Sequence, residues 1–417
     1  MLKEQTRSFT VLYHSLATDR PPADADVLED RWLHKLFVLT HAPACWPAWQ
    51  LAAGLLLLAG LVFYVWLPLG PLAFTAAAIY LGFALIDWLL LSWLPQAGRS
   101  FGPVGPQLFV LTSPRLLVAG VIGLLAWLFG WGEGETRPAL LSALTLLQGA
   151  GTAAYLWGML VEPFALAMTE RTVCSPVLPL DRPPIRLLHL SDLHVERLTR
   201  REAHLLQLIE QARPDLIVIT GDFLNLSYVD EPLARAEVRK LLTQLDAPFG
   251  VYATLGSPPV DRRATTPSLF EGTKVRLLRD EVAVLDFGDG RTLSLIGMDC
   301  DHELDNDTQV FKELVRRAPA DSLKVLLYHS PELMPVVQQY PLDLYLCGHT
   351  HGGQMRLPWY GALLTSSALG KRYEMGPYIE NGTTLYISRG IGLEGLSAPR
   401  MRLLCPPEIV LFSLTGN

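Results

Sequence analysis

Charge is scarce in this chain: 18% of its 417 residues are Asp, Glu, Lys or Arg, against 50% hydrophobic. That balance is displaced from the soluble average towards membrane proteins. A basic surface is missing as well. The formal net charge of −7 leaves no positive face for a phosphate backbone, which disfavours a nucleic-acid partner. Cysteine is sparse, and Cys45, Cys174, Cys300, Cys347 and Cys405 fall without metal-type or disulfide-framework spacing. An odd, dispersed set reads as reduced thiols in a reducing compartment. There is no repeat or low-complexity tract. Nor is there an apolar run near the start, so the first residues do not read as a cleaved signal peptide.

What is present is an abrupt change of composition. Residues 1–44 are polar, with Pro21-Pro22, an acidic patch from Asp24 to Asp30, and the basic residues Lys3, Arg7, Arg20, Arg31 and Lys35. Residues 45–161 predict a transmembrane region of about four helices. Trp46–Leu67 is uncharged and long enough to span roughly 30 Å of hydrocarbon. Leu72–Leu94 carries one acid, Asp87. Leu116–Trp131 is shorter, and Ala139–Val161 completes the set. Tryptophans lie mostly near the ends of these runs, as an aromatic belt requires. Asp87 reads as sitting near a helix end or facing another helix, with a functional intramembrane acid as the alternative. The N-terminal segment is the richest in basic residues, and the loop between the second and third spans holds Arg99 with Arg115 just after it. That places the N-terminus inside, and an even number of spans returns the rest of the chain to the same side. A multi-pass protein of the cell membrane with a cytoplasmic C-terminal domain is expected.

Residues 162–184 read as a linker ending in Pro183-Pro184, and 185–417 as an α/β domain in which strand-like and helix-like stretches alternate. Strands are expected at Ile185–Leu190, Leu216–Thr220, Val251–Leu255, Val282–Phe287, Leu293–Met298, Val325–Tyr328, Leu344–Cys347, Thr384–Ser388 and Ile409–Leu414. Thr199-Arg200-Arg201-Glu202 fits a capping box opening a helix. Further helices are expected around 232–245, 307–318 and 331–340.

Four strand ends carry the chemistry. The first gives Asp192 and His194, the second Gly221-Asp222, the strand KVLLYHS gives His329, and LYLCGHTHGGQ gives His349 and His351. Ligand sites in open α/β sheets sit at that edge. A lone Asp there is usually a cap, and a lone His a hydrogen-bonded core residue. Two Asp and four His together suit a divalent metal. His189, inside its strand, reads as core.

SDLH, TGD, the isolated His329 and GHTHGGQ, in this order, resemble the calcineurin-like metallophosphoesterases, and most of all their membrane-associated bacterial branch. The resemblance covers about 185–414. It implies a four-layer αββα sandwich with two divalent ions (manganese, iron or zinc), and a metal-dependent phosphoesterase activity. One metal would take Asp192, His194, Asp222 and His351. The other would take Asp222 as the bridge, His329 and His349. Two such ions activate water and clamp an in-line phosphoryl displacement.

One motif departs from the family. Where Gly-Asn-His-Asp/Glu is usual, this chain has Gly256-Ser257-Pro258-Pro259-Val260-Asp261. Ser257 replaces the amide ligand of the second metal, and Pro258 replaces an imidazole that assists the leaving group. A hydroxyl is a poor neutral ligand and proline offers no side-chain donor. The second ion is therefore expected to be held more weakly. The acid chemistry would fall to His302, Asp299, Asp301, Asp261 or Asn225. Arg389 is a candidate for substrate phosphate, with a structural salt bridge as the alternative. The apolar tract from Arg356 to Arg372 suggests a substrate lip or a membrane contact. The function expected is hydrolysis of a phosphodiester, phosphomonoester or pyrophosphate bond, with the bilayer and a phosphorylated, lipid-linked substrate as partners. The alternative is a silent membrane-bound domain that binds a phosphorylated ligand as a sensor or scaffold.

Overall fold

In the computed structural model, which describes residues 32–131, 134 and 136–417, the apolar runs are helices whose outer faces stay apolar. Most of the polar segment expected over 1–44 lies outside the described residues. A short α1 (Trp32–His41) precedes α2 (Ala48–Trp66), α3 (Leu72–Trp93), α4 (Val104–Leu128) and α5 (Thr136–Leu160). Four stretches, Ala48–Leu69, Leu72–Trp93, Val104–Leu128 and Thr136–Phe164, have mean hydropathies of 2.1, 1.9, 2.0 and 1.3 and are long enough to cross a membrane. Leu57, Tyr64, Phe74, Leu89 and Leu146 point outward and are exposed, which suits lipid and not water. Between the helices small residues such as Ala59, Ala73, Ala76, Ala119 and Ala126 lie among larger ones such as Trp66 and Tyr80, and let backbones approach closely. Gly123 shows the need: a methyl there would lie 2.5 Å from Trp66 Nε1, which donates to the Ala119 carbonyl at 2.8 Å.

The third span corrects the sequence reading. It begins at Val104 and not at Leu116, and it carries Pro114 and Arg115 in its interior. A cation inside a span looks like a boundary, but this one is neutralised. Arg115 donates to both Asp87 oxygens, at 2.6 and 2.7 Å, so the two charges are paired inside the helical unit. Arg115 thus leaves the loop count, and Arg99 alone remains there. Gly395–Arg400 packs with this helical unit, the Arg400 amide donating to Gln107 Oε1 at 2.9 Å.

The second compact unit comprises Val161–Glu394 and Met401–Asn417. Its elements are β1 (Ala167–Ser175), β2 (Ile185–Leu190), α6 (Arg200–Ala212), β3 (Leu216–Thr220), α7 (Pro232–Leu242), β4 (Val251–Thr254), β5 (Val275–Leu277), β6 (Glu281–Asp286), β7 (Thr292–Gly297), α8 (Leu304–Arg317), β8 (Leu323–Leu327), α9 (Met334–Val337), β9 (Leu344–Cys347), β10 (Arg356–Leu357), β11 (Gly361–Ala362), β12 (Gly376–Glu380), β13 (Thr383–Ile387) and β14 (Glu408–Gly416). The expected linker is not all linker, since β1 lies within it and pairs with β14. The helix expected at 331–340 shrinks to a 3₁₀ turn, Pro331–Leu333, followed by four residues of α9. Pro331 and Pro335 have no amide to donate, so a longer helix has no hydrogen-bond ladder there.

The strands form two six-stranded sheets, ordered β1-β14-β2-β3-β4-β5 and β12-β13-β9-β8-β7-β6. Alternate residues of the two sheets, Leu187, Val218 and Tyr252 against Leu295, Val325 and Leu346, share one core. On the outer face of the second sheet, Ile296 and Leu326 pack with Phe311 and Leu314 of α8. The crossovers β2-α6-β3 and β3-α7-β4 put helices on the other side, and the result is an αββα sandwich. β2, β3 and β4 run parallel, as do β7, β8, β9 and β13. Their C-terminal ends bring the expected ligand residues to one edge.

Candidate metal centre

The strand ends meet. His194 Nε2 lies 3.5 Å from Asp222 Oδ2, and His329 Nε2 lies 3.2 Å from the same oxygen and 3.9 Å from Asp192 Oδ1. His351 Nε2 is 3.6 Å from Asp192 Oδ1 and 3.0 Å from His194 Nε2. Two groups of potential ligands follow directly: Asp192 with His194 and His351, and Asp192 with Asp222 and His329. Every one of these side chains is buried.

Local geometry forces this convergence. Asp192, His194, Asp222, His349 and His351 have φ of 50°, 38°, 57°, 68° and 51°. Non-glycine residues seldom enter that left-handed region, and such residues cluster at functional sites. The carboxylates also need bare backbone beside them. A methyl on Gly348 would sit 2.0 Å from Asp192 Oδ2, and one on Gly256 would sit 2.1 Å from Asp222 Oδ1.

The tautomers are set from behind. His329 Nδ1 faces the Thr220 carbonyl at 2.7 Å and His194 Nδ1 faces the Leu224 carbonyl at 3.2 Å. Each Nδ1–H therefore donates backwards, and in the neutral ring each Nε2 lone pair points into the site. Asp192 Oδ2, His329 Nε2, His349 Nε2 and His351 Nδ1 are buried without hydrogen-bond partners among the described residues. Buried polar atoms are rarely left so, and unpartnered atoms on residues gathered in this way fit divalent cations. Electrostatics agree. Burial pushes the Asp192 carboxyl up. Asp222 is buried too, but facing His329 and His194 holds it well below the carboxylate range. Burial opposes the charge on His329, yet Asp222 and Asp192 raise it to about 10. The site draws positive charge strongly.

The remaining candidates separate. Asp261 accepts the Asp222, Gly256 and Phe223 amides at 2.7, 2.8 and 3.1 Å, and so positions the backbone that carries Asp222. Asp299 pairs with Arg279 at 2.6 Å and Asp301 with Arg263 at 3.0 Å. Asn225 is bound to Leu393 O and caps the turn at Ser227. Arg389 forms an ion pair with Glu408 at 2.7 Å. His189 is core, as expected, bonded to Thr220 Oγ1 at 2.8 Å. Of the acid candidates His302 alone joins the cluster. Its Nε2 is 3.2 Å from Ser257 Oγ, and its ring centre is 4.8 Å from that of His349. Ser257 itself donates its amide to Asp222 Oδ1 at 2.9 Å.

Two residues escaped the sequence reading. Glu332, three positions past His329, is buried with its Oε2 unpartnered. Its signal was the Ser330-Pro331-Glu332 turn directly after a ligand strand. Arg402 is fully buried and donates to the Arg389, Gly390 and Gly392 carbonyls. It braces the loop behind Asp192, where the Gly392 amide reaches the Asp192 carbonyl at 2.7 Å.

Comparison with known proteins agrees with this geometry. The family model of calcineurin-like phosphoesterases matches residues 185–353. The metallophosphoesterase YkuE of Bacillus subtilis is 32% identical over 279 residues, covering 66% of this chain and 93% of that protein. LpxG of Chlamydia trachomatis, a UDP-2,3-diacylglucosamine pyrophosphatase, is 26% identical over 65% of this chain and 95% of its own length. The phosphodiesterase YaeI of Escherichia coli is 26% identical over 55% and 82%. With its strand-end carboxylates and imidazoles in the family's order, the chain belongs to the calcineurin-like phosphoesterases, hydrolases that work with a pair of metal ions.

Proposed function

We propose that this protein is a membrane-anchored phosphoesterase that hydrolyses a phosphodiester or pyrophosphate bond of a lipid-linked substrate. The observation that carries the reading is the convergence of Asp192, His194, Asp222, His329, His349 and His351, with their ligand atoms buried and largely unpartnered. Asp192, His194, Asp222 and His351 would hold one ion. Asp222, His329 and His349, with Ser257 at the remaining corner, would hold the other. Bound there, two ions of the manganese, iron or zinc class supply a nucleophile from water at neutral pH and charge for an in-line displacement. The protein's own part is preorganisation. Thr220 O and Leu224 O fix two imidazoles, and Asp261 fixes the bridging carboxylate.

Support for a lipid-linked substrate comes from two directions. Four helices are apolar enough to anchor the chain, and the β10–β11 hairpin that follows the His351 loop exposes Leu357, Trp359, Tyr360, Leu363 and Leu364. LpxG is named for a substrate that joins acyl groups to a pyrophosphate. Pro258 bears on the bond. Losing one acid–base group costs about 10²–10⁴ in rate, and least where the leaving group is already a stable anion, as in pyrophosphate. Four spans and the basic residues of the N-terminal segment support a cytoplasmic catalytic domain.

Pro258 also favours a second reading, a domain that binds a phosphorylated ligand without cleaving it. Purified full-length protein in detergent, given manganese and bis-p-nitrophenyl phosphate or a lipid pyrophosphate, separates the two. Turnover that Asp222→Asn abolishes establishes the hydrolase. Bound metal without turnover above that variant on either substrate supports the binding domain and sinks the hydrolase.

A further inference from the structure

We propose that Glu332 and His302 join His349 to complete the seat of the second metal ion at the corner where Ser257 lacks the usual amide. The inference rests on the metal-dependent reading above and names residues that the family pattern does not supply.

Ligand atoms of His302, Glu332 and His349 all lie within 4.8 Å of one another, and all three residues are buried, at 7%, 5% and 6% exposure. Glu332 carries the argument. A buried carboxylate is costly unless paired. Among the described residues no Lys or Arg forms an ion pair with it. Its Oε1 accepts the Ala368 amide at 2.6 Å, which fixes the carboxylate, while its Oε2 has no partner. His349 Nε2 is likewise without one. A buried carboxylate and a buried imidazole, each with an unpartnered atom, thus stand together with a second imidazole.

His302 arrives there through the same backbone device as the ligands on the other strand ends. Its φ is 58°, matching Asp222 at 57° and His351 at 51°. Its Nε2 meets Ser257 Oγ at 3.2 Å, so the serine contacts the substitute imidazole where the usual asparagine would have presented an amide. Cys300 Sγ lies 3.6 Å from the same nitrogen. Two imidazoles and one carboxylate suit manganese, iron or zinc, and a carboxylate in place of an amide adds a negative charge to the seat. The loop change at Ser257-Pro258 is therefore compensated by Glu332 and His302 and is not a decay of the site.

Cobalt titration of the full-length protein tests this, read by the visible d–d absorption and by elemental analysis after gel filtration. Wild type is expected to retain two ions. Glu332→Gln, which keeps the acceptor for Ala368, and His302→Gln should each retain one, the second binding more than about 100-fold more weakly. Asp192→Asn should instead lose the other ion. Two ions retained by both the Glu332 and His302 variants, with unchanged absorption, overturns the seat while leaving the metal-dependent reading intact. A wild type that binds no cobalt overturns both. Should Glu332→Gln fail to fold, as its metal-free thermal midpoint would show, Glu332→Asp decides: it keeps a carboxylate and should restore the second ion.

Discussion

Arg115 in α4 uses all five of its N–H groups. They reach both Asp87 oxygens, the Gln148 carbonyl and side-chain oxygen, and Thr152 Oγ1, at 2.6 to 3.1 Å. Gln148 answers by donating to the Arg115 carbonyl at 3.0 Å, and the guanidinium lies over the Tyr155 ring at 4.9 Å. At the strand ends of the other unit, carboxylates as deeply buried leave atoms without partners: Asp192 Oδ2 and Glu332 Oε2, beside His329 Nε2 and His349 Nε2. Burial is the same in the two places, and saturation is not. A polar network that is fully satisfied rigidifies its surroundings and offers nothing further. One whose lone pairs converge unsatisfied is built for a ligand. The acid buried among the apolar helices is therefore a staple between them, and the chemistry belongs to the strand ends.

The staple should give the largest stability effect. Arg115→Leu leaves Asp87 buried and alone, and breaking a buried pair from one side costs about 3–5 kcal/mol. The detergent-micelle denaturation midpoint should fall accordingly, while metal content stays at the wild-type level. Asp87→Leu combined with Arg115→Leu should recover most of the loss, because an apolar pair in the same space carries no unpaired charge. A double variant as unstable as the single would break the comparison, since the cost would then be packing and not charge.

The strand ends should behave oppositely. A cation that binds the folded state alone stabilises it by about 2.7 kcal/mol at a hundred times its dissociation constant. Manganese should raise the thermal midpoint of wild type and of the Asp87/Arg115 double variant alike, and chelation should reverse it. Asp192→Asn should respond weakly. An equal response in Asp192→Asn would show that the ion acts elsewhere.

How much of this was written in the sequence depends on what the residues must satisfy. β2, β3, β8 and β9 are buried on both faces, so their continuous apolar runs announced them, and the ligands follow at their ends. β1, β5 and β12 left no such trace. All three are sheet edges with partly exposed residues, as in Gly376–Glu380, and an edge strand needs no apolar run. The third span was read short for a related reason: Arg115 marks a boundary until Asp87, 28 residues earlier, is seen to neutralise it. The six strand-end candidates were legible because motif and geometry coincide. Glu332 was not, since a glutamate opening a helical turn usually serves the turn, and only the missing partner of its second oxygen distinguishes it.

Asp307 in α8 represents a third way to bury a carboxyl, with neither cation nor metal. Tyr328 donates to its Oδ2 at 2.5 Å; burial nevertheless pushes this carboxyl up to about 7. The sign of its contribution follows. A group that holds its proton more tightly when folded adds stability at pH below its unfolded value near 4, and that contribution is lost as pH rises through 7. Across this window one proton corresponds to a slope of up to about 1.4 kcal/mol per pH unit. Asp307→Asn keeps the oxygen that accepts from Tyr328 but cannot titrate. Measured in chelator, where metal linkage is absent, its unfolding free energy should lack this part of the wild-type decline between pH 4 and 7. An unchanged slope would mean that Asp307 is ionised in the fold at neutral pH, and that Tyr328 alone satisfies a buried anion.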